Sequence, residues 1–480
     1  MSLRNKFKKD ISKNTNLSFD VSQLKSNETI SKSRVKIYTK RIIMLSLLVP
    51  LSVIIIAPLV FILATMKTST KDVRRKYTIN EIQKMENSSF KALNKIPYPT
   101  SKALNQIDIK DVRTYDLYVN NIYRKFEKES NMMFSPLTLY GFFVDSYGAL
   151  SDEEMMSKYE SLLGLGIEEI DDFYRLVFTN NFFATNNGTV QLHNGVFIDN
   201  QYHINPEYVS YLNKVYTECF SMSFKNTEDI ERMVDWIGES VGDKRFLTQN
   251  DIPITNYTTA YMFSTLKFDM KWAFKYVKAK TYSGDFFGEG STIKTKYMKH
   301  TFMNVYYDYG SYISVVDRYC DGYSITYLVP KKTKDSIYEL TKDTNIFIED
   351  DEKKIDYKAI ELHVPKFSVT KTLDFKNLFN NLGLGKLFSM SSKTLNNLYT
   401  GLTDDTSLFL ETVKQKNLIQ MNEDGTQIKS VDIGGIGATS SANIERNAIE
   451  VKLNQPFIYI VKDANNLPIY VGHIDDPNSH

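Results

Sequence analysis

Six histidines (His193, His203, His300, His363, His473 and His480) and two cysteines (Cys219 and Cys320) are the obvious metal ligands and nucleophiles in this chain of 480 residues. Their spacing serves neither role. No histidines stand at the HExxH or H-x3-H separation of a zinc site, and two cysteines cannot make a four-cysteine site. Cys219 and Cys320 permit one bridge at most, and two structural thiols are the simpler expectation. A G-x-S-x-G elbow and a Walker loop are both missing. The "GGIG" at Gly434–Gly437 lacks the third glycine of a dinucleotide fingerprint, and the "ATSSAN" after it is poor helix material. The acid pairs Asp350/Asp351 and Asp404/Asp405 sit in polar turns. The expectation is a protein that is not an enzyme and uses no cofactor and no metal.

The unusual chemistry lies in a loop. "MNEDGTQIKSVDIGGIGATSSANIERN" (residues 421–447) opens on a turn signal, then loses every apolar period. Strand-like runs flank it, "LFLETVKQKNLI" before and "AIEVKLNQPFIYIV" after. A loop of this length inside a compact domain is uncommon and is usually functional or disordered.

The elements that must hold such a loop are legible in part. Hydrophobic content of 42% with 13% aromatics supplies a sizeable core. Val112, Tyr115, Val119, Ile122, Tyr123 and Phe126 fall on one helical face, as do Ile230, Met233, Ile237 and Val241. Ser135 followed by Pro136 is a cap and first-turn signal for a further helix. Later segments, among them "YMFSTLKFDMKW", "SITYLVP" and "AIELHVPKFSV", are rich in β-branched and aromatic residues. Helices early and strands late predict an α+β fold with mostly antiparallel sheet.

The formal net charge of +2 carries no nucleic-acid signature. Residues 1–41 form a basic tail of net +8, which leaves −6 for the remainder. Ile42–Met66 is uncharged for twenty-five residues. As a helix it spans about 37 Å at roughly 1.5 Å per residue, against about 30 Å of hydrocarbon. A secretory signal peptide is the other reading, but the leader and the apolar core are both long for one and no A-x-A site follows. A transmembrane helix is therefore expected, with residues 67–107 as a polar stalk. The basic tail favours an inside N-terminus, so the folded part is expected outside the cytoplasm as a type II membrane protein. Sequons at Asn87, Asn187 and Asn256 are compatible with that.

From Asp108 to Pro477 the chain resembles the serpin family. "NMMFSPLTLYGFFVDSYGAL" resembles the family's helix entry, "NGVFID" a strand, and "HVPKF" (His363–Phe367) its L-P-K-F strand. "LGLGKLF" resembles the helix that follows, "NEDGT" (Asn422–Thr426) the N-E-E-G-T hinge, and "NQPFIYIVKD…PIYVGHIDDP" the C-terminal ending. Trp236 and Trp272, the two tryptophans, stand at tryptophan positions of the family. The resemblance implies an α+β serpin-like fold over 108–480, with helices around three largely antiparallel β-sheets and an exposed reactive-centre loop at about 423–455.

It also implies a function. The loop is bait for a serine or cysteine protease, and after cleavage its N-terminal half inserts into the main sheet. The expected hinge is Glu423, Asp424, Gly425, Thr426, Gln427, Ile428, Lys429, Ser430, Val431 and Asp432. Family spacing from Glu423 places the scissile bond at Thr439–Ser440, whereas counting back from "QPF" places it near Arg446–Asn447. Ser135, Thr138, Ser264 and Gln415 match the polar cluster where the sheet opens, although Gln415 stands for the usual His and Ser264 for the usual Asn. If Thr426 points inward, so do Ile428, Ser430, Asp432 and Gly434. Asp432 is then an obstacle, because a buried unpaired carboxylate costs several kcal/mol. This leaves a non-inhibitory binding module displayed on a membrane as the alternative. Glycosaminoglycan activation is disfavoured by the acidic "SDEEMMSKYESLLGLGIEEIDDFYR" after the second helix.

Overall fold

In the computed structural model, which describes residues 88–126, 129–288, 290–331, 337, 340, 346–427 and 448–479, local caps set where each helix starts. The Asp108 carboxylate accepts from the Lys110 N–H to open α1 (Ile109–Lys125). Ser135 accepts from Thr138 N–H to open α2 (Pro136–Tyr147), with Pro136 in the first turn. Every residue of α2 except Phe142 is buried, so this helix runs through the core rather than along its surface. The chain continues through α3 (Glu153–Leu163), α4 (Ile167–Asn180), α5 (Pro206–Lys214), α6 (Thr227–Val241) and the short α7 (Lys376–Asn381). Gly164 ends α3 in the left-handed conformation (φ 75°), where a side chain would be strained. The periodic stripes correctly foretell α1 and α6, while α3, α4 and α5 add helices that no stripe announced.

The main sheet holds the site. Its strands are β1 (Lys91–Ala92), β2 (Gly188–Asp199), β3 (Thr217–Met222), β4 (Ala260–Lys271), β5 (Phe367–Asp374), β6 (Lys414–Asn422) and β7 (Gly425–Gln427), in the order β1-β3-β2-β4-β7-β6-β5. Phe182–Thr185 pairs with β2 as an eighth strand. A nine-stranded sheet runs from Ile449–Lys452 at one end to Met133–Phe134 at the other, and a two-stranded sheet joins His203–Ile204 to Tyr399–Thr400. Phe457–Lys462 and Pro468–Ile474 are buried along their whole lengths. The β2–β3 pair and the pair of Lys354–Pro365 with Ile449–Lys452 are parallel, and the other named pairs are antiparallel. The fold is α+β with three largely antiparallel sheets.

Residues 88–107, which the sequence places in a stalk, lie against the fold. Lys91 and Ala92 add an edge strand beside β3. Ser88 and Ser89 both donate to the buried Asp229 carboxylate in the first turn of α6, at 2.5 Å each. Phe90 packs on Phe197 and Phe220, and Tyr98 stacks on Phe182 with centroids 4.8 Å apart. These residues lack periodicity because their partners lie more than seventy positions away. The tail at 1–41, the apolar segment at 42–66 and the first part of the proposed stalk lie outside the described residues. Among the described residues, no helix is long and apolar enough to cross a membrane.

Candidate functional site

The hairpin from β6 to β7 turns at Glu423 and Asp424, and among the described residues no buried side-chain polar atom of that turn is left without a partner. The Glu423 carboxylate accepts from Lys366 Nζ and from the Thr281 hydroxyl, at 2.8 Å each. Burial opposes its ionisation, but the Lys366 ammonium and the bonds from its own backbone and Thr281 outweigh this and hold its pKa below the usual glutamate value. Asp424 forms an exposed ion pair with Lys278. Trp272 donates its ring N–H to the Asn422 carbonyl (2.8 Å) and stacks on Tyr319 with centroids 4.4 Å apart. Gly425 passes so close to β4 that a Cβ there would lie 2.3 Å from the Met270 carbonyl oxygen. Only glycine permits that approach.

Thr426 is fully buried, with its hydroxyl 2.6 Å from that of Tyr319. β7 pairs on both sides: Gln427 lies opposite Gln420 of β6 and opposite Asp269 of β4. Beyond Gln427 the two flanking strands continue, and among the described residues no ladder joins β4 to β6 directly. A seam therefore runs through the middle of the main sheet, stopped at its upper end by three residues. Below them lies a cavity of about 380 Å³, bounded in part by residues 261–266 of β4 and by residues 412–418 in and just before β6.

The sheet-opening cluster sits at this cavity, over the N-terminus of α2. Gln415 accepts from Ser135 N–H (2.8 Å) and donates to the Ser135 carbonyl (3.0 Å) and to Thr138 Oγ1 (2.7 Å). One carboxamide thus closes the cap of α2, using both its donor and its acceptor. Asn417 adds a bond to the Gln415 carbonyl oxygen at 2.9 Å. Ser264 is brought to the same cavity but not into that network. Its hydroxyl faces α2 beside the Tyr174 phenol, is enclosed, and makes no well-formed hydrogen bond. Thr412 Oγ1, at the lower end, is likewise unpartnered.

The hinge residues Ile428, Lys429, Ser430, Val431 and Asp432, and both candidate bonds, Thr439–Ser440 and Arg446–Asn447, lie outside the described residues. Sequence reasoning missed Tyr319, Trp272 and Lys366 as partners of the hinge. Lys366 lies inside the "HVPKF" motif and so carried a signal; Tyr319 carried none. Both cysteines are free. Burial, with the Asp145 charge, pushes the Cys219 thiol up to about 12, which makes it inert.

A family model for serpins (serine protease inhibitors) matches residues 115–477. An alpha-1-antitrypsin-like protein, GS55-LT, from Ictidomys tridecemlineatus is 24% identical over 381 residues, covering 75% of this chain and 87% of that protein. Alpha-1-antitrypsin from Sus scrofa is 24% identical over 375 residues, covering 74% and 85%. The native-state crystal structure of tengpin, a thermophilic serpin, superposes with a TM-score of 0.69 at 19% identity, covering 81% of this chain and 99% of that one. At that identity the superposition speaks for the fold alone.

Proposed function

Because this chain belongs to the serpin family, we propose that it is not an enzyme but an inhibitor of a serine or cysteine endopeptidase, consumed as a suicide substrate. The protease nucleophile attacks the carbonyl of the bait bond, the new amino terminus departs, and the loop stays esterified to the enzyme. The freed N-terminal half of the loop then enters the seam between β4 and β6 and carries the acyl-enzyme with it. Thr439–Ser440 is the preferred bait bond, because the number of residues from the hinge limits how far the strand can travel. Arg446–Asn447 is the alternative.

The seam carries this reading. Three residues already pair with both flanking strands, the strands continue past them, and among the described residues no ladder joins the two directly. Insertion completes a broken ladder and fills the cavity, so it releases free energy that the uncut fold stores. Speed decides the outcome, since each 1.4 kcal/mol or so on the insertion barrier is about tenfold in the race with deacylation. The Ile42–Met66 segment adds a tether in this reading, with the folded unit held outside the cytoplasm. Its basis is the uncharged run itself.

A second reading, a non-inhibitory binding module, draws on one feature. The half of the loop that must enter the sheet carries Asp432, whose carboxylate needs partners there. A panel of serine and cysteine endopeptidases incubated with the full chain separates the two. The inhibitor reading expects at least one covalent adduct that survives boiling in detergent. Clean cleavage by every protease that cuts, with no adduct, would overturn it.

A further inference from the structure

The "HVPKF" segment, His363–Phe367, touches the chain on both sides of the long loop. Before the loop, Lys366 Nζ meets the Glu423 carboxylate at 2.8 Å. After it, His363 Nε2 lies 3.4 Å from Glu450 Oε1. Glu450 belongs to the strand Ile449–Lys452, four residues long at the edge of the nine-stranded sheet. Among the described residues that strand ladders with Lys354–Pro365 alone, and the pairing is parallel. A parallel edge strand this short has little ladder to hold it, so side-chain contacts weigh heavily in its attachment.

The register of that pair poses a charge problem. Glu361 lies directly opposite Glu450, and like charges so placed repel. The buried His363 ring stands between them, with Nε2 3.1 Å from Glu361 Oε1 and 3.4 Å from Glu450 Oε1. Lys299 meets the same Glu361 oxygen at 2.5 Å, and Lys452 the same Glu450 oxygen at 2.7 Å. Lys452 pairs within its own strand, whereas the ring contact crosses from one strand to the other. On the far side of the ring, the Tyr282 hydroxyl is 2.6 Å from Nδ1. Burial keeps the ring below the ordinary histidine pKa despite the pull of Glu361 and Glu450, so at neutral pH it carries one proton. Were that proton on Nδ1, a lone pair would face both carboxylates. The phenol therefore donates to Nδ1, and Nε2–H points at the glutamates.

Resting on the reading of the loop as bait, we propose that His363 is the positioning residue for the loop's C-terminal base. With Tyr282 setting its tautomer, it shares one N–H between Glu361 and Glu450 and so holds Ile449–Lys452 on the sheet edge. Lys366 holds the N-terminal base through Glu423. One five-residue segment thus mounts both ends of the loop, each through a glutamate, from side chains three positions apart. The bait is strung between two fixed points, and loss of the His363 mount frees one of them.

The test follows amide exchange in the full chain for wild type, His363→Phe, Glu450→Gln and the double variant. Phenylalanine keeps a ring in the buried site and removes the donor. His363→Phe is expected to speed exchange over residues 449–453 about tenfold, where the Leu453 N–H donates to the His363 carbonyl. Exchange at 420–422 should stay unchanged, and the melting temperature should move by less than about 3 °C. Glu450→Gln in that background removes the facing charge and should bring exchange back to within about twofold of wild type. Glu450→Gln alone should change little, since its amide oxygen still accepts from Nε2–H. A ring that served packing alone would give no such rescue. Unchanged exchange in His363→Phe, or no rescue by Glu450→Gln, would overturn the mount. The bait reading is tested separately, by covalent adducts with the protease panel. If wild type forms none, that reading fails while the exchange pattern still decides whether His363 holds the strand.

Discussion

The two ends of the seam are built differently. At the hinge end, Glu423 has Lys366 and Thr281, Thr426 has Tyr319, and the Asn422 carbonyl has Trp272. Among the described residues no buried side-chain polar atom of that turn is orphaned, and the third strand is in place. Further along the two flanks, Ser264 and Thr412 have unmet hydroxyls and the strands border a cavity of about 380 Å³. The upper end resembles a finished sheet and the lower end a receptor. Free energy available on insertion therefore resides in the lower end, and the upper end sets the position from which insertion begins.

The largest break in this contrast comes from charge at the hinge. Thr426→Arg places a guanidinium where the side chain is fully buried, at a penalty of about 3 kcal/mol or more. The first inserted residue is then expelled. Loss of the covalent protease adduct, with cleavage itself preserved, is the expected result in a gel assay.

Next comes the Glu423–Lys366 pair. Its folded-state pKa is depressed, so the pair supports the hinge fully above the ordinary glutamate value. That support is lost as pH falls through the lower folded value. Lys366→Ala should remove about 1.5–3 kcal/mol at neutral pH and flatten the acid limb of a stability-versus-pH curve. An unchanged limb would detach the pair from hinge stability.

Smaller effects sharpen the comparison from either end. Tyr319→Phe deletes the partner of the Thr426 hydroxyl and should lower uncut stability by about 1 kcal/mol in denaturant titration. Thr412→Val removes an unmet hydroxyl at the lower end and should raise uncut stability by a similar amount. Opposite signs from two single-atom changes, one beside each end of the seam, are what an upper clamp and an unfinished lower end require.

How much of this the sequence disclosed depends on range. Ser135 and Pro136 announce α2 because capping is local, and the flanking strands of the long loop show their alternation directly. Gln415 was readable as an amide able to donate and accept, and it does both. The edge strand at Lys91–Ala92 was not readable, since its partner Ser221 lies 130 positions on and the segment has no period.

The most direct test of the account is amide hydrogen exchange over residues 261–268 and 413–419 of the full chain, before and after one cut within residues 428–447. Insertion gives those strands a new partner, so exchange should slow in both segments together, with the hinge pairs at 420–422 already slow in the uncut protein. Exchange that stays as fast after the cut as before would mean that nothing enters the seam, and the proposed mechanism of inhibition would be wrong.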